Sequence, residues 1–359
     1  MTDRDLVTAR TVAQHLHEPT GGSVADAVRE FVAMQGQDLP GVIASIALRT
    51  GSCVDRVTEA FERGAIVRAY PMRGTVFAMA ADDALWVSEL CNGSAIRAQE
   101  NRRSALGLEQ PHFVTAGDVL EREAAAGGCS KQQLFAAWQA AGVDTGGGRG
   151  YHVLTYFIGT RVAVYGPIAE RDNTVRLAAD WLPADSTLDE RFNGDRVTAA
   201  TELLRRYFIS RGPATIRDAA WWSKLPLALL REAAKGLGDE IERVDADEPV
   251  YRRAQLADAV AAAGRAATVP MLLPGFDELV LGYQDRGYIV PDRHLERLVP
   301  GRNGVFRPTA VASGQARGTW KRTGRPGSRR FELDPFAAVS QTRQLAFERA
   351  FAKFPFATP

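Results

Sequence analysis

The sequence predicts an α+β fold in which short helices followed by strands recur three times ahead of a β-rich C-terminal module. Two observations predict this fold. Amphipathic segments that begin with Ser or Thr caps alternate with short β-branched runs up to residue 267. From residue 268 onward, Pro, Gly and aromatic residues separate short alternating runs, which is typical of strands and turns.

The first repeat is assigned to residues 1–81. The pattern predicts helices over residues 6–16, 24–35 and 40–48 and a further helix after Ser52, and then strands over 66–70 and 75–79. Ser23 and Asp26 form a capping pair at the start of the second helix. Short helices followed by a hairpin are in the order of a winged helix-turn-helix motif.

The pattern then recurs twice. Residues 82–180 are predicted to hold a connecting helix over 82–105, helices over 115–126, 130–141 and 151–158, and a strand over 162–165. Residues 181–267 are predicted to hold helices over 195–210, from 215 and from 226, and strands over 240–244 and 249–253. Thr115 and Thr215 are each followed by Asp three residues later, which suggests structural repetition. Three tandem winged helices are therefore predicted.

The C-terminal module is assigned to residues 268–359. Its predicted strands cover residues 271–273, 305–307, 309–311, 315–321 and 329–333, with a helix over 292–298 and a closing helix over 340–353.

Composition excludes several classes of protein. The 359 residues are 45% hydrophobic and 24% charged with a net charge near +1, so a nucleic-acid site must come from local clustering of Lys and Arg. Three separated cysteines without a C-x-x-C pair indicate reduced thiols and argue against a cysteine-based metal site. No signal peptide and no transmembrane run is found, so we expect a cytoplasmic protein without membrane contact.

Gln35 and Gln37, which flank Gly36, are the candidate chemical group. Two carboxamides two residues apart on an extended or unwinding segment share one side and can orient a single water molecule. A carboxamide is not a useful base near neutral pH, so the leaving group must depart easily by itself, as a cationic alkylated purine does. The alternative is that both are surface residues at a helix end.

Several phrases together resemble the tandem winged-helix DNA glycosylases of the AlkZ-like family. They are Gln35-Gly36-Gln37, Tyr70-Pro71-Met72-Arg73-Gly74-Thr75, Gly212-Pro213-Ala214-Thr215 with Asp218 and Trp221-Trp222, Leu272-Leu273-Pro274-Gly275-Phe276-Asp277-Glu278, Gly304-Val305-Phe306-Arg307-Pro308-Thr309, and Gly318-Thr319-Trp320-Lys321-Arg322. The resemblance spans nearly the whole chain.

The resemblance implies a monofunctional, metal-independent glycosylase without a cofactor that removes alkylated purines from double-stranded DNA, in some members from bulky adducts or interstrand crosslinks. The family's catalytic glutamines correspond to Gln35 and Gln37. Two departures are visible. Gly36 replaces a residue that is usually aliphatic, and Phe77 stands where members often carry a histidine.

Asp38 is a possible auxiliary group, which can act as a base or stabilise an oxocarbenium ion, or can instead cap a helix. DNA affinity requires phosphate contacts. The residues expected to supply them are Arg73, Arg149, Lys321, Arg322, Arg325, Arg329 and Arg330. For each of them a structural or solvated role is the alternative. Trp221 and Trp222 are interpreted as core residues, and Asp277 and Glu278 as a structural turn rather than a metal site.

Three functions are thus compared. A glycosylase, which is expected to be a monomer, accounts for the glutamine pair. A non-catalytic winged-helix regulator or damage sensor is the alternative, although such regulators usually dimerise on symmetric sites and this chain carries its repeats internally. A metal-dependent nuclease is disfavoured because no carboxylate and histidine cluster supports one.

Overall fold

The computed structural model describes residues 2–169, 172–302, 304–325 and 328–356. Its helices and antiparallel sheets confirm a mixed fold of helices and strands. Within these ranges, no helix has both the length and the apolar character that crossing a bilayer requires.

The N-terminal elements form a helical layer against a hairpin. In chain order they are α1 (Asp3–Ala13), α2 (Val24–Glu30), β1 (Met34–Gln35), α3 (Leu39–Thr50), α4 (Val54–Glu62), β2 (Ile66–Met72) and β3 (Thr75–Ala80). Ser23 caps α2 as predicted, by accepting a hydrogen bond from the Asp26 N–H. The prediction that this helix continues to Gln35 is wrong. It ends at Glu30, because Val32 adopts a left-handed φ of 62° that turns the chain into β1.

The second part was predicted less well. Its elements are α5 (Ala84–Cys91), α6 (Gly93–Arg102), α7 (Gln110–Ala124), α8 (Lys131–Ala140), α9 (Arg149–Gly159), β4 (Ala163–Ala169) and β5 (Asp172–Leu177). The single connecting helix of the prediction is two helices. The predicted start at Thr115 is wrong as well, because α7 begins at Gln110 and Thr115 lies inside it.

The third part contains the predicted helices and strands, preceded by two short helices that were not predicted. It contains α10 (Ala178–Trp181), α11 (Leu188–Phe192), α12 (Arg196–Arg211), β6 (Ala214–Thr215), α13 (Ile216–Ser223), α14 (Leu227–Ala233), β7 (Ile241–Val244) and β8 (Val250–Arg253). Thr215 and Asp218 form the predicted capping box at the start of α13, each side chain bonding the other's backbone N–H.

The C-terminal part is a sheet flanked by helices. It follows α15 (Leu256–Ala263) and contains β9 (Met271–Leu273), α16 (Glu278–Leu281), α17 (Asp292–Leu298), β10 (Thr309–Ala312), β11 (Gln315–Thr323), β12 (Arg330–Pro335) and α18 (Gln341–Ala352). The predicted strand over residues 305–307 is wrong, since this segment is irregular. Pro326 and Gly327, at the tip of the predicted basic hairpin, lie outside the described residues.

Three antiparallel sheets organise the chain. The hairpins of the first two parts join in one sheet of order β1-β3-β2-β4-β5, in which Arg68 of β2 lies opposite Tyr165 of β4. The other sheets have the orders β6-β8-β7 and β12-β11-β10-β9. Because β1 is at an edge of the shared sheet, the chain that follows it emerges beside the β2–β3 hairpin.

Candidate functional site

Gln35 and Gln37 lie on the sheet edge and the segment that leaves it. Gln35 pairs with Phe77 of β3, and the Gly36 N–H donates to the Val76 carbonyl at 2.8 Å. Gln35 is therefore the last residue of a strand, and Gln37 lies in a bend just before α3.

The two carboxamides have unequal environments. Gln35 is only 6% exposed, and its Oε1 accepts a hydrogen bond from the backbone N–H of Gln37 at 3.2 Å. Its Nε2 lies 3.5 Å from the Thr75 hydroxyl, a long contact. Gln37, in contrast, is exposed. The exposed Gln37 amide can thus contact a bound water or substrate, and the buried Gln35 amide fixes the backbone of Gln37.

Gly36 is held on both sides. Its carbonyl accepts hydrogen bonds from the Arg68 Nε and Nη2 at 3.0 and 2.7 Å, and the same guanidinium donates to Asn173 at 2.6 Å. A Cβ added at Gly36 would lie 3.0 Å from the Ala78 backbone nitrogen. This close approach of β3 accounts for glycine between the glutamines.

A buried ion pair lies directly beneath Gln35. The Glu278 Oε1 accepts a hydrogen bond from the Gln35 N–H at 2.6 Å, and its Oε2 pairs with Arg211 at 2.8 Å. Arg211 also donates to the carbonyls of Phe31 and Ala33, at 2.9 and 2.7 Å. The segment before Gln35 is thereby fixed to both α12 and α16.

A second buried pair attaches the C-terminal module to α3. Asp277 accepts hydrogen bonds from Arg49 through both of its oxygens at 2.9 Å, and from Ser45 at 2.8 Å. Burial opposes ionisation of Asp277, but the charge and hydrogen bonds of Arg49 outweigh it and lower the pKa of this carboxyl. These contacts give Asp277 and Glu278 a structural role.

Asp38 is the N-cap residue of α3 and is half-buried. Burial raises the pKa of its carboxyl above the ordinary value, while the Gly41 N–H and the charge of Arg68 reduce that shift. A Cβ at Gly41 would lie 2.6 Å from the Asp38 Oδ2 and 3.1 Å from the Gly275 carbonyl. The absence of a side chain at position 41 therefore allows the C-terminal module to pack closely beside Asp38.

Phe77 and Trp222 fill the core behind the hairpin. Both are at most 1% exposed, and their rings meet edge to face at 6.4 Å. Phe77 therefore belongs to the core and does not line a surface. Trp222 agrees with the interpretation as a core residue, whereas the neighbouring Trp221 is only half-buried.

Arg73 lies in the turn of the β2–β3 hairpin, with a left-handed φ of 60°. Its guanidinium carbon is 4.3 Å from the ring centre of Trp221. A cleft of about 590 Å³ opens beside this turn. Its lining includes Tyr70, Arg73, Arg102, Tyr151, His152 and Lys224. Gln35 and Gln37 do not line this cleft.

The remaining cations expected to contact DNA are divided between internal and solvent-facing positions. Arg149 pairs with Asp144 at 3.0 Å and donates to the carbonyls of Leu106 and Gly146, so its side chain already supports the loop before α9. Lys321 is exposed but pairs with Glu332 at 2.9 Å.

The guanidinium of Arg322 stacks 4.5 Å from the Phe356 ring. Arg325 and Arg330 are exposed and Arg329 is half-buried. Among the residues that the structure describes, no group of three or more His, Cys, Asp or Glu is arranged to hold a metal ion.

Sequence reasoning missed Arg68 and Arg211, which hold the glutamine segment, and it named Glu278 only as part of a structural turn without its contact to Gln35. Arg68, Arg211 and Glu278 are separated from it by about 30 to 240 positions along the chain, so no local pattern relates them to it. The sequence contains only a weak indication of these contacts. An Arg in a strand of apolar residues, as at position 68, indicates a buried partner.

Residues 28–355 match the family described as DNA glycosylase AlkZ-like. An interstrand DNA cross-link repair glycosylase from Streptomyces sahachiroi is 25% identical over 334 residues, which cover 89% of this chain and 87% of that protein.

The structure of the Streptomyces sahachiroi DNA glycosylase AlkZ has the same fold. It superposes with a TM-score of 0.77 at 21% identity, and the match covers 98% of this chain and 95% of that one.

Proposed function

Because the chain belongs to the AlkZ-like DNA glycosylase family, we propose that it hydrolyses the N-glycosidic bond of alkylated purines in double-stranded DNA. The substrates proposed are purines made cationic by alkylation at N7 or N3, including bulky adducts and interstrand crosslinks. The observation that carries the proposal is the exposed Gln37 carboxamide, whose backbone is held by Gln35.

In the proposed reaction, the bond between the sugar C1′ and the cationic purine breaks, and its electron pair neutralises the departing base. Water held by the Gln35 and Gln37 amides adds to the oxocarbenium carbon and then loses a proton. Asp38 is proposed as the auxiliary group, which stabilises the oxocarbenium charge or accepts that proton. No metal, cofactor or covalent protein intermediate is used, so the product is an abasic site without strand cleavage.

The proposed architecture assigns a winged helix-turn-helix unit to each of residues 1–81, 82–180 and 181–267, followed by the module of residues 268–359. The order of helices before each hairpin supports this division. The shared sheet of the first two units supports a single rigid DNA-facing surface. A monomer is proposed to act on the duplex.

The proposed phosphate contacts are Arg73, Arg149, Lys321, Arg322, Arg325, Arg329 and Arg330. Exposure supports Arg325 and Arg330 most directly. Arg149 receives the least support, because a phosphate would have to displace its ion pair with Asp144.

Base release tests the proposal. The purified protein is incubated with duplexes that contain 7-methylguanine, a bulky intercalator adduct or an interstrand crosslink, and the released base is identified by mass spectrometry. We expect release above the spontaneous rate, unaffected by EDTA, with strands broken only after alkali treatment. Release at only the spontaneous rate from all three duplexes would contradict the proposal.

The burial of Gln35 favours a second candidate, a non-catalytic DNA-binding protein, because an amide engaged by its own chain is less available to water. This candidate predicts binding without base release. A defined footprint on one sequence would indicate a regulator, whereas binding that depends on the lesion and not on sequence would indicate a damage sensor.

A further inference from the structure

Three cationic side chains converge on the half-buried ring of Trp221. The guanidinium carbons of Arg73 and Arg286 lie 4.3 and 4.9 Å from its centre, and the Lys224 Nζ lies 5.4 Å away. They come from the β2–β3 turn, the residue after α13 and the loop before α17. We call these four residues the Trp221 cluster.

Nearby carboxylates offset the positive charges of this cluster only in part. None of the three cations forms an ion pair with a described residue, and the Arg286 Nε is buried without a hydrogen-bond partner. Two carboxylates act on the cluster from a distance. Glu278, which attracts Arg73, is already paired with Arg211, and Asp285 attracts the adjacent Arg286 without forming an ion pair with it.

Like charges brought this close repel one another, and partial burial adds a desolvation cost. Burial is the main cause that lowers the pKa of Arg73, Lys224 and Arg286, and the repulsion between neighbours lowers that of Arg73 and Lys224 further. The Trp221 face offsets only part of this cost, since a cation–π contact contributes about 0.5–2 kcal/mol. An anion bound between the three cations would remove most of the repulsion.

The position of the cluster restricts the class of anion. Arg73 and Lys224 line the 590 Å³ cleft, so an anion there is reached from solvent. Arg73 is two residues from Thr75, whose hydroxyl lies 3.5 Å from the Gln35 amide nitrogen. Guanidinium and ammonium groups together are typical ligands of phosphate oxygens.

We propose that the Trp221 cluster binds a phosphate group of the DNA backbone and so holds the strand beside the Gln35–Gln37 segment. The identity of the strand as DNA rests on the proposed function, while the anion site rests on the cluster itself. Lys224 and Arg286 are the residues that this inference adds to the expected DNA contacts.

The test uses an unmodified duplex, so that its result does not depend on base release. Lys224→Gln and Arg286→Gln are compared with the parent and with Lys235→Gln, an exposed lysine paired with Glu232. Binding is measured over a series of salt concentrations. We expect each cluster variant to bind about tenfold more weakly. The salt dependence should also become shallower, with the magnitude of the slope of log affinity against log salt reduced by roughly 0.9.

Lys224→Arg, which keeps the charge, should retain the parental slope. Parental slopes in both Gln variants, or an equal loss in Lys224→Arg, would overturn the proposal. Inorganic phosphate at constant ionic strength should raise the melting temperature of the parent more than that of Lys224→Gln. An equal rise in both would place free phosphate elsewhere and also count against the site.

If the variants change DNA binding as expected but the protein releases no base, phosphate binding by the cluster is supported and the proposed glycosylase activity is contradicted. If the protein releases base but the variants leave the salt slopes unchanged, the glycosylase activity is supported and phosphate binding by the cluster is contradicted.

Discussion

At the scale of single residues, Gln37 reaches solvent, while Gln35 is buried at the sheet edge beside β3 and its carboxamide oxygen accepts a hydrogen bond from the Gln37 N–H. This hydrogen bond fixes the backbone of Gln37 and so limits where its exposed side chain can point. Positioning of a water molecule is sensitive to such limits, because a shift of about 1 Å can cost on the order of 100-fold in rate.

Replacing Gln37 by Ala should therefore reduce the rate of base release by on the order of 100-fold with little change in melting temperature. Gln35→Ala should reduce both, because it also leaves the Gln37 N–H without its acceptor. Single-turnover base release and thermal melting measure the two effects, with Gln341→Ala, at an exposed position in α18, as control. Parental rates in both glutamine variants would show that neither amide takes part in the reaction.

Asp38 should make the reaction depend on pH. Burial raises its pKa, so the carboxylate becomes protonated at a higher pH than an ordinary Asp does. We expect enzyme-dependent base release to fall as the pH decreases through this raised pKa, and Asp38→Asn to abolish that acidic limb while lowering the rate at neutral pH. Rates at each pH are corrected for spontaneous loss of the base. If Asp38→Asn kept the same fall in rate at acidic pH, a group other than Asp38 would be responsible for it.

A methyl group at position 36 should destabilise the protein. A Cβ there would meet the backbone of Phe77 and Ala78 at 3.0 to 3.3 Å, and strand backbone cannot move aside cheaply. Gly36→Ala should lower the free energy of unfolding by about 1–3 kcal/mol, despite the usual entropic benefit of replacing glycine. Urea denaturation measures this change. A more stable Ala variant would mean that β3 relaxes freely at this point.

At the scale of elements, local signals identified helices where the cap and the apolar face coincide. Ser130 and Thr215 cap helices as their capping boxes predict. Thr115 has the same spacing to Asp118, yet it lies within α7, because that helix begins earlier at Glu109 and Gln110. A Thr followed by Asp three residues later therefore does not show that a helix begins at that Thr, because the helix can begin further upstream.

The contrast between the two threonines can be measured. Thr215→Ala removes the side-chain acceptor for the Asp218 N–H and should cost about 1 kcal/mol of stability. Thr115→Ala, inside a helix, should be neutral or slightly stabilising because Ala has the higher helix propensity. Urea unfolding of both variants gives the comparison. An equal effect in both would show that the cap of α13 contributes nothing beyond propensity.

The site itself was predictable only in part. Gln35, Gln37 and Asp38 are adjacent in sequence, so their resemblance to a known motif could be seen directly. The early end of α2 depends on the positive φ of Val32, which a β-branched residue does not signal. The contacts of Glu278 with Gln35 and Arg211 join distant segments, and a single sequence carries no record of such pairing.

At the scale of the whole molecule, two buried ion pairs join the parts of the chain under the glutamine segment. Arg49 and Asp277 connect α3 to the C-terminal module, and Arg211 connects α12 to Glu278. Breaking a buried pair leaves an uncompensated charge, which costs more than the pair itself contributes. The same contacts therefore determine both global stability and the position of Gln35.

Glu278→Gln tests this coupling. A glutamine at position 278 can still accept a hydrogen bond from the Gln35 N–H, but it carries no charge to balance Arg211, which is fully buried. We expect a loss of about 3–5 kcal/mol in the free energy of unfolding, together with slower base release at saturating substrate because the segment before Gln35 loosens. Urea denaturation and single-turnover kinetics measure the two effects. The matched control is Glu232→Gln in the exposed pair with Lys235, which should change stability by less than about 1 kcal/mol and leave the rate unchanged. If Glu278→Gln unfolded at the parental urea concentration, Arg211 would have to find another partner, and the position of Gln35 would not depend on this ion pair.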